Sequence, residues 1–169
     1  DLQVSGSWRI VAGWSDNWDF QDSDDDDASV DDFSISMRAR TKFEFITSED
    51  LKAVLHTEIG DVAWGAPGVA DLGTDGVVIE VKELYVDFNW PDTDVNIKAG
   101  LMGVALPSNF GSPVLDDDFA TLNITVPFND MFTMVAGFAR FADDQNGIDA
   151  DGNSVEEDEF DALYLVGVI

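Results

Sequence analysis

Apolar and polar residues alternate along most of this chain with a period of two. In the clearest segment, Phe33 to Phe45, apolar or small side chains occupy every second position, and polar side chains such as Arg38 and Arg40 lie between them. Successive side chains of a β-strand point to opposite faces, so the pattern predicts a strand with one apolar and one polar face. The segment exceeds both the ~5–6 residues typical of soluble strands and the ~9–11 residues of a tilted transmembrane strand.

Eight segments of this kind are predicted, and connections of two lengths separate them. The predicted strands cover residues 2–14, 33–45, 51–64, 77–90, 95–106, 120–128, 131–142 and 160–169. Four long loops, at residues 15–32, 65–76, 107–119 and 143–159, alternate with three short turns. Transmembrane barrels alternate long external loops with short periplasmic turns in this way. The sequence therefore predicts an all-β fold, a transmembrane antiparallel up-and-down β-barrel, and a secreted all-β sandwich is the alternative.

Aromatic residues lie near the ends of the predicted strands. Phe45 and Trp90 are beside short turns, whereas Trp14 and Phe33 are beside long loops. Two belts of aromatic residues are typical of the levels at which a barrel meets the two membrane surfaces. Aromatic residues also favour strands in general, so this placement supports the membrane interpretation without excluding the sandwich.

The composition excludes several classes of protein. The chain has 35 Asp and Glu against 8 Lys and Arg, a net charge of −27, yet 45% of its residues are hydrophobic. Disordered chains combine high charge with low hydrophobicity, and this sequence has the high charge without the low hydrophobicity. Nucleic acid is not an expected partner, because binding it requires clustered Lys and Arg. The absence of cysteine excludes disulfides, thiolate metal sites and a cysteine nucleophile.

All Lys and Arg residues fall inside predicted strands, whereas most acidic residues fall in the long loops. A basic side chain facing lipid would cost roughly 2–4 kcal/mol at mid-membrane, so we expect these residues to point inward. The predicted pore-lining residues are Arg9, Arg38, Arg40, Lys42, Lys52, His56, Lys82 and Lys98. They form either a water-filled basic lumen below an acidic mouth or the filling of a narrow barrel. In the second case their partners would be acidic residues in the predicted strands, namely Glu44, Glu58, Glu80 and Glu83.

Three consecutive acidic residues, Asp116, Asp117 and Asp118, lie in the predicted loop 107–119. If this loop folds into the lumen, the carboxylates face the basic wall and create a transverse field at a constriction. Charged rings of this kind set the ion preference of pores. The alternative is a solvated acidic loop outside the barrel.

Candidate chemistry outside the strands is limited. Asp149, Asp151 and Asn153 have the spacing of calcium-loop ligands, but Gly147 stands where an EF-hand needs its first carboxylate, and no helices flank the segment. Weak binding of calcium by these loop residues and a solvated acidic loop both stay open, and no other cofactor is expected. His56 is the single histidine, and the chain lacks a phosphate-binding glycine loop and a nucleophile elbow, so we do not expect an enzyme.

Three stretches in the middle third of the chain resemble a known family. They are VKELYVDF at residues 81–88, IKAGLMGVALP at residues 97–107 and PVLDDD at residues 113–118. These stretches resemble the general-diffusion porins in the outer membrane of Desulfovibrio-type sulfate-reducing bacteria. The resemblance implies a homotrimer in a Gram-negative outer membrane, with about sixteen strands per subunit, a size within the range of such barrels.

Eight strands are half of such a barrel, so two hypotheses on its extent stay open. Residues 1–169 form either the N-terminal half of a larger porin or a complete eight-stranded barrel, whose interior side chains would fill. The predicted function is passive diffusion of ions and small hydrophilic solutes, in contact with outer-membrane lipid and lipopolysaccharide. The alternatives are a small closed barrel with a structural or adhesive role and a soluble acidic calcium-binding β-protein.

Overall fold

The computed structural model describes residues 1–15, 32–73, 76–106, 115–142, 146–148, 154–156 and 160–168. This part of the chain contains strands and turns and no helix, and hence no helix suited to crossing a membrane. The strands are β1 (Leu2–Ser15), β2 (Asp32–Ile46), β3 (Leu51–Ala63), β4 (Glu80–Asn89), β5 (Asn96–Leu106), β6 (Leu115–Asn129), β7 (Phe132–Ala142), β8 (Asn146–Ile148), β9 (Ser154–Glu156) and β10 (Phe160–Val168).

Eight of these strands form one open antiparallel sheet in chain order, β1-β2-β3-β4-β5-β6-β7-β10. The prediction of an all-β, up-and-down fold is therefore confirmed at this level. The strands of this sheet are 9 to 15 residues long, which reflects the long runs of alternating polarity that encode them. The remaining two, β8 and β9, form a small antiparallel sheet of their own.

Short turns join β2 to β3, β4 to β5 and β6 to β7. In the second of these turns the Trp90 amide donates to the Val95 carbonyl at 2.8 Å, and Asp92 has a φ of 59°. Aspartate tolerates this left-handed conformation better than most residues, so its position in the turn is consistent with its chemistry. Longer connections lie between the other strands of the sheet, in the alternation that the sequence predicts.

Two predicted loops differ from the structure. Residues 115–119 of the predicted loop 107–119 belong to β6, where Asp116, Asp117 and Asp118 pair with β5. Three consecutive carboxylates are typical of a loop. Here they continue the strand, because β5 extends to Leu106 and provides a pairing partner for each of them. The predicted loop 143–159 contains the short strands β8 and β9.

The chain divides into two compact units. The first contains residues 1–4, 42–56 and 81–169, and the second contains residues 5–41 and 57–80. A small core of the first unit consists of buried side chains of β5, β6 and β7, namely Met102, Val104, Phe119 and Ala139. This core is too small to take up most of the apolar residues, and many of the large ones are exposed.

Candidate functional site

The apolar face of the sheet is exposed in the first unit. The register places Leu122 beside Phe138 and Phe138 beside Leu163 on three neighbouring strands. Leu163 is 84% exposed and Leu165 is 69% exposed. A soluble one-sided sheet buries this face against a core and turns its polar face to water. The apolar side chains of this sheet instead face outward, away from the small core.

The second unit has the same polarity. Trp8, Ile10 and Trp14 share one parity of β1, and Trp8 is 84% exposed. Arg9 lies between Trp8 and Ile10, and because strand side chains alternate, it points to the opposite face. Each unit therefore presents large apolar side chains on one face and most of its ion-paired side chains on the other.

The polar face of the first unit carries a chain of ion pairs across four strands. Lys52 Nζ lies 3.0 Å from Glu44 Oε1 and 3.9 Å from Asp87 Oδ2. Lys98 Nζ lies 3.5 Å from the same Asp87 oxygen. Asn96 also donates to Asp87, at 2.6 Å. Opposite charges thus alternate from β2 to β5, and the Asp87 carboxylate is held between two ammonium groups and an amide.

A second group on this face is centred on Glu83. Its Oε2 atom lies 3.0 Å from His56 Nδ1 and 3.6 Å from Lys42 Nζ. The ring of Tyr85 lies between two ammonium groups, with Lys42 Nζ at 6.0 Å and Lys98 Nζ at 5.9 Å from its centroid. These distances are at the outer limit for a cation–π contact. Tyr85 therefore joins the Glu83 group to the ion pairs around Asp87.

The second unit contains its own ion pairs. Arg9 Nη2 lies 2.5 Å from Asp61 Oδ1, and Arg38 Nη1 lies 3.4 Å from Asp61 Oδ2. Arg40 Nε donates to Glu58 Oε2. The Asp61 carboxylate thus pairs with two guanidinium groups from two other strands, and the Glu58 carboxylate pairs with the third.

Each sequence-predicted basic residue described so far, in either unit, is paired with a carboxylate. Of the acidic partners considered from the sequence, Glu44, Glu58 and Glu83 take part. Asp61 and Asp87 were not identified from the sequence, because nothing in the local pattern shows which strands become neighbours. The paired set contains six Lys and Arg residues and five carboxylates: Arg9, Arg38, Arg40, Lys42, Lys52, Lys98, Glu44, Glu58, Asp61, Glu83 and Asp87. The face is close to neutral rather than strongly basic.

Two sequence-predicted site residues lie elsewhere. Lys82 Nζ contacts Asp118 Oδ2 at 2.8 Å. Asp118 has the same parity on β6 as the exposed Leu122 and is opposite Gly103 on β5. Because side chains alternate along a regular strand, this pair lies on the apolar face. The assignment of Lys82 and Asp118 to a common polar lumen does not match this geometry.

A further ion pair lies on the apolar face and was not among the sequence-predicted site residues. Arg140 donates to Asp161 through Nε at 2.9 Å and Nη2 at 3.1 Å. Arg140 shares its parity with Phe138, and Asp161 shares its parity with Leu163. The sequence of β7 is apolar on both parities, so its orientation could not be assigned before the neighbouring strands were known.

Tyr164 connects three strands on the polar face of the first unit. Its hydroxyl is 2.9 Å from Thr121 Oγ1 and also donates to Asn123 Oδ1. Thr121 in turn donates to the Phe138 carbonyl at 2.8 Å. The Tyr164 ring occupies the space beside Gly137, its cross-strand partner. This cluster fixes β10 against β6 and β7 through polar contacts and a close approach that requires glycine.

No group of three or more His, Asp and Glu side chains is arranged to hold a metal within the described residues. The predicted weak calcium ligands Asp149, Asp151 and Asn153 lie outside this part of the chain.

The polar face is suited to contact with water. Ion pairs with partial exposure to water, as these have, contribute only about 0–1 kcal/mol each, so this network adds little to stability. The same charges in a dry interior would carry a desolvation penalty of several kcal/mol per ion. The pairs join strands that are neighbours or next neighbours in the sheet, so they run along the face. Such a surface can solvate ions and polar solutes.

Comparison with known proteins adds no relative: no family model and no curated protein matches this chain.

Proposed function

We propose that this protein is an outer-membrane porin, through which ions and small hydrophilic solutes diffuse passively. The observation that carries the proposal is the polarity of the sheet. Large apolar side chains such as Trp8, Trp14 and Leu163 are exposed on one face, while ion pairs line the other. Moving a side chain of this size from water to an apolar environment gains about 1.5–3 kcal/mol. Lipid against the apolar face and water against the polar face give each set of side chains the surroundings that it favours.

Strand length supports a membrane location. The strands of the sheet have 9 to 15 residues, which is enough to cross the hydrocarbon core at the tilt of a barrel. Short turns alternate with longer connections, as they do between the periplasmic and external ends of such barrels. In a bilayer the backbone groups at the edges of β1 and β10 would cost several kcal/mol each if unpaired, so the proposal requires both edges to be paired, with each other or with further strands.

A water-filled lumen fits the ion pairs better than a filled interior. The pairs run along the sheet between β1, β2, β3, β4 and β5, so they can line a wall without spanning a lumen. Because the wall is close to neutral, the excess acidic residues of the chain dominate its field, with a net charge of −27. We expect a preference for cations over anions that weakens as salt screens these charges.

The outer-membrane location, the homotrimer and the contact with lipopolysaccharide are parts of the proposal that rest on the porin resemblance. The small closed barrel is the competing hypothesis, and it differs in having no conductance.

Two measurements test the proposal on protein purified in detergent. The first is dispersity after detergent removal, for which we expect aggregation. The second is single-channel current in KCl after reconstitution of the protein into planar bilayers, for which we expect discrete current steps, with heat-unfolded protein as the control. Protein that stays monodisperse without detergent contradicts the membrane location. Protein that inserts without current contradicts the pore and supports the closed barrel.

A further inference from the structure

A cavity of about 500 Å³ lies on the polar face of the first unit, where the ion pairs meet the small core. This volume is within the ~300–1,000 Å³ of small-molecule sites, which combine an apolar wall with a few placed polar groups. The lining has both kinds of group, and it includes Tyr85, Asn96, Lys98, Met102, Asn123 and Thr125. The cavity therefore has the size and the composition of a site for a small solute.

Gly100 leaves room on this face beside the cavity. The register places it between Tyr85 on β4 and Thr121 on β6. Its φ is 134°, and a Cβ atom there would clash with the Leu84 carbonyl oxygen, so the position requires glycine. Glycine inside a strand often marks a place where a ligand or another backbone approaches closely. The row of side chains across β4, β5 and β6 is interrupted at this point.

Two amide side chains at the cavity have unused hydrogen-bonding groups. Asn96 Nδ2 donates to Asp87 and Asn89, which leaves Asn96 Oδ1 as an acceptor. Within the described residues, Asn123 Nδ2 contacts only Met102 Sδ, at 3.7 Å, and a thioether is a weak acceptor. The two amides are diagonal neighbours on β5 and β6, roughly 7–8 Å apart. A ligand that donates one hydrogen bond and accepts another can bridge them.

Both charged residues that line the cavity already have partners. Glu83 pairs with His56 and Lys42, and Lys98 pairs with Asp87. A charged ligand would have to compete with one of these pairs, whereas a neutral ligand leaves them intact. The cavity therefore favours a neutral polar ligand over an ion.

We propose that this cavity binds a neutral sugar in its pyranose form. Sugar hydroxyl groups both donate and accept, so they suit the Asn96 carbonyl oxygen and the Asn123 amide nitrogen. The C–H groups of the sugar ring lie against the Tyr85 ring and the Met102 thioether, which belong to the apolar part of the lining. The site rests on the proposed function and names a solute class for it, because a sugar reaches this face from the lumen.

The test is a ligand-observed NMR titration of the detergent-purified protein, which measures binding without conductance. Methyl β-glucoside, sorbitol and gluconate serve as probes, since sorbitol has the hydroxyl groups without the ring and gluconate adds a carboxylate. We expect methyl β-glucoside to bind about tenfold more tightly than the other two, because its ring is rigid and neutral. Sorbitol or gluconate that binds as tightly as the glucoside would overturn the proposal, and so would the absence of binding for all three.

A matched pair of variants tests the amide donor. Asn123→Asp removes the donor and keeps the Oδ1 atom that accepts from Tyr164. We expect the affinity for methyl β-glucoside to fall about fivefold, the effect of one lost hydrogen bond. Asn129→Asp is the control outside the cavity, since it makes the same change of charge and keeps the Oδ1 atom that accepts from the Met131 amide. Equal losses in the two variants would show an effect of charge alone and contradict the site.

Tyr85→Leu tests the contact with the sugar ring. It should weaken methyl β-glucoside more than sorbitol, because only the glucoside has a rigid C–H face that packs on an aromatic ring. An equal loss for both probes would place the sugar elsewhere and overturn the site. The comparison of the three probes on the unaltered protein stays decisive if a variant fails to fold.

The outcomes separate this site from the proposed function. Preference for the glucoside without channel current supports the sugar site and contradicts the pore. Channel current without this preference supports the pore and contradicts the sugar site.

Discussion

The ring of Tyr164 lies against Gly137, its cross-strand partner, in the space that any larger side chain at position 137 would need. The close approach allows the Tyr164 hydroxyl to reach Thr121 and Asn123 on β6, two strands away. A glycine inside a strand normally weakens it, because it has no side chain to pack. Here the aromatic ring covers the glycine and compensates for this loss.

Gly137→Ala should therefore destabilise the protein, although alanine generally suits a strand better than glycine. We expect a loss of about 1–3 kcal/mol in the free energy of unfolding, the usual cost of overpacking. The measurement is the urea midpoint followed by tryptophan fluorescence in detergent. Gly13→Ala is the matched control, since the nearest atom to the new methyl group there is 4.0 Å away. Equal midpoints for the two variants would show that the Tyr164 ring moves aside freely.

Val86→Arg should impair assembly in membranes. Val86 is 43% exposed on β4 and lies opposite Ala99 on the apolar face, so in the proposed barrel the variant places a charge against hydrocarbon. The expected cost is about 2–4 kcal/mol at mid-membrane. The measurement is the yield of heat-modifiable folded protein in lipid vesicles. Thr125→Arg introduces the same side chain on the polar face of β6 and should assemble normally. A folded yield of Val86→Arg that equals that of Thr125→Arg would contradict the assignment of the faces.

Replacing Arg38 and Arg40 by Ser should shift the reversal potential of the proposed channel towards cations. The double variant removes two cations and leaves the carboxylates of Asp61 and Glu58 on the wall. The shift should be largest at low salt, because the screening length falls to about 10 Å at 0.1 M. Glu58→Gln removes a negative charge instead, so it should shift the reversal potential in the opposite direction and serves as the control. If both variants conduct with the potential of the unaltered protein, these residues do not line the ion path.

Lys82→Gln and Lys98→Gln should differ in their effects on the same measurement. Lys98 pairs with Asp87 on the polar face, so its removal should shift the potential towards cations. Lys82 pairs with Asp118 on the apolar face, so its removal should leave the potential within experimental error. Planar-bilayer recordings in a KCl gradient provide the comparison. Equal shifts would instead show that Lys82 lines the lumen, as the sequence pattern predicts.

The sequence predicts most of the strands of this protein because the relevant signal is local. Alternation from Phe33 to Phe45 specifies both a strand and its two faces without any knowledge of neighbouring strands. The turn around Asp92 follows in the same way from a few adjacent residues. The limit appears at Asp116, Asp117 and Asp118, where local charge favours a loop and the ladder with β5 makes a strand.

The partners of the charged side chains depend on the tertiary structure alone. Arg9 meets Asp61 across 52 positions of sequence, and Lys82 meets Asp118 across 36. Register decides such contacts, and it is a property of strand pairs, since a shift of one residue moves every side chain to the other face. The alternation along each strand determined which residues share a face. Only the assembled sheet decided that the polar face is nearly neutral and that Arg140 and Asp161 stand at the edge of the apolar face.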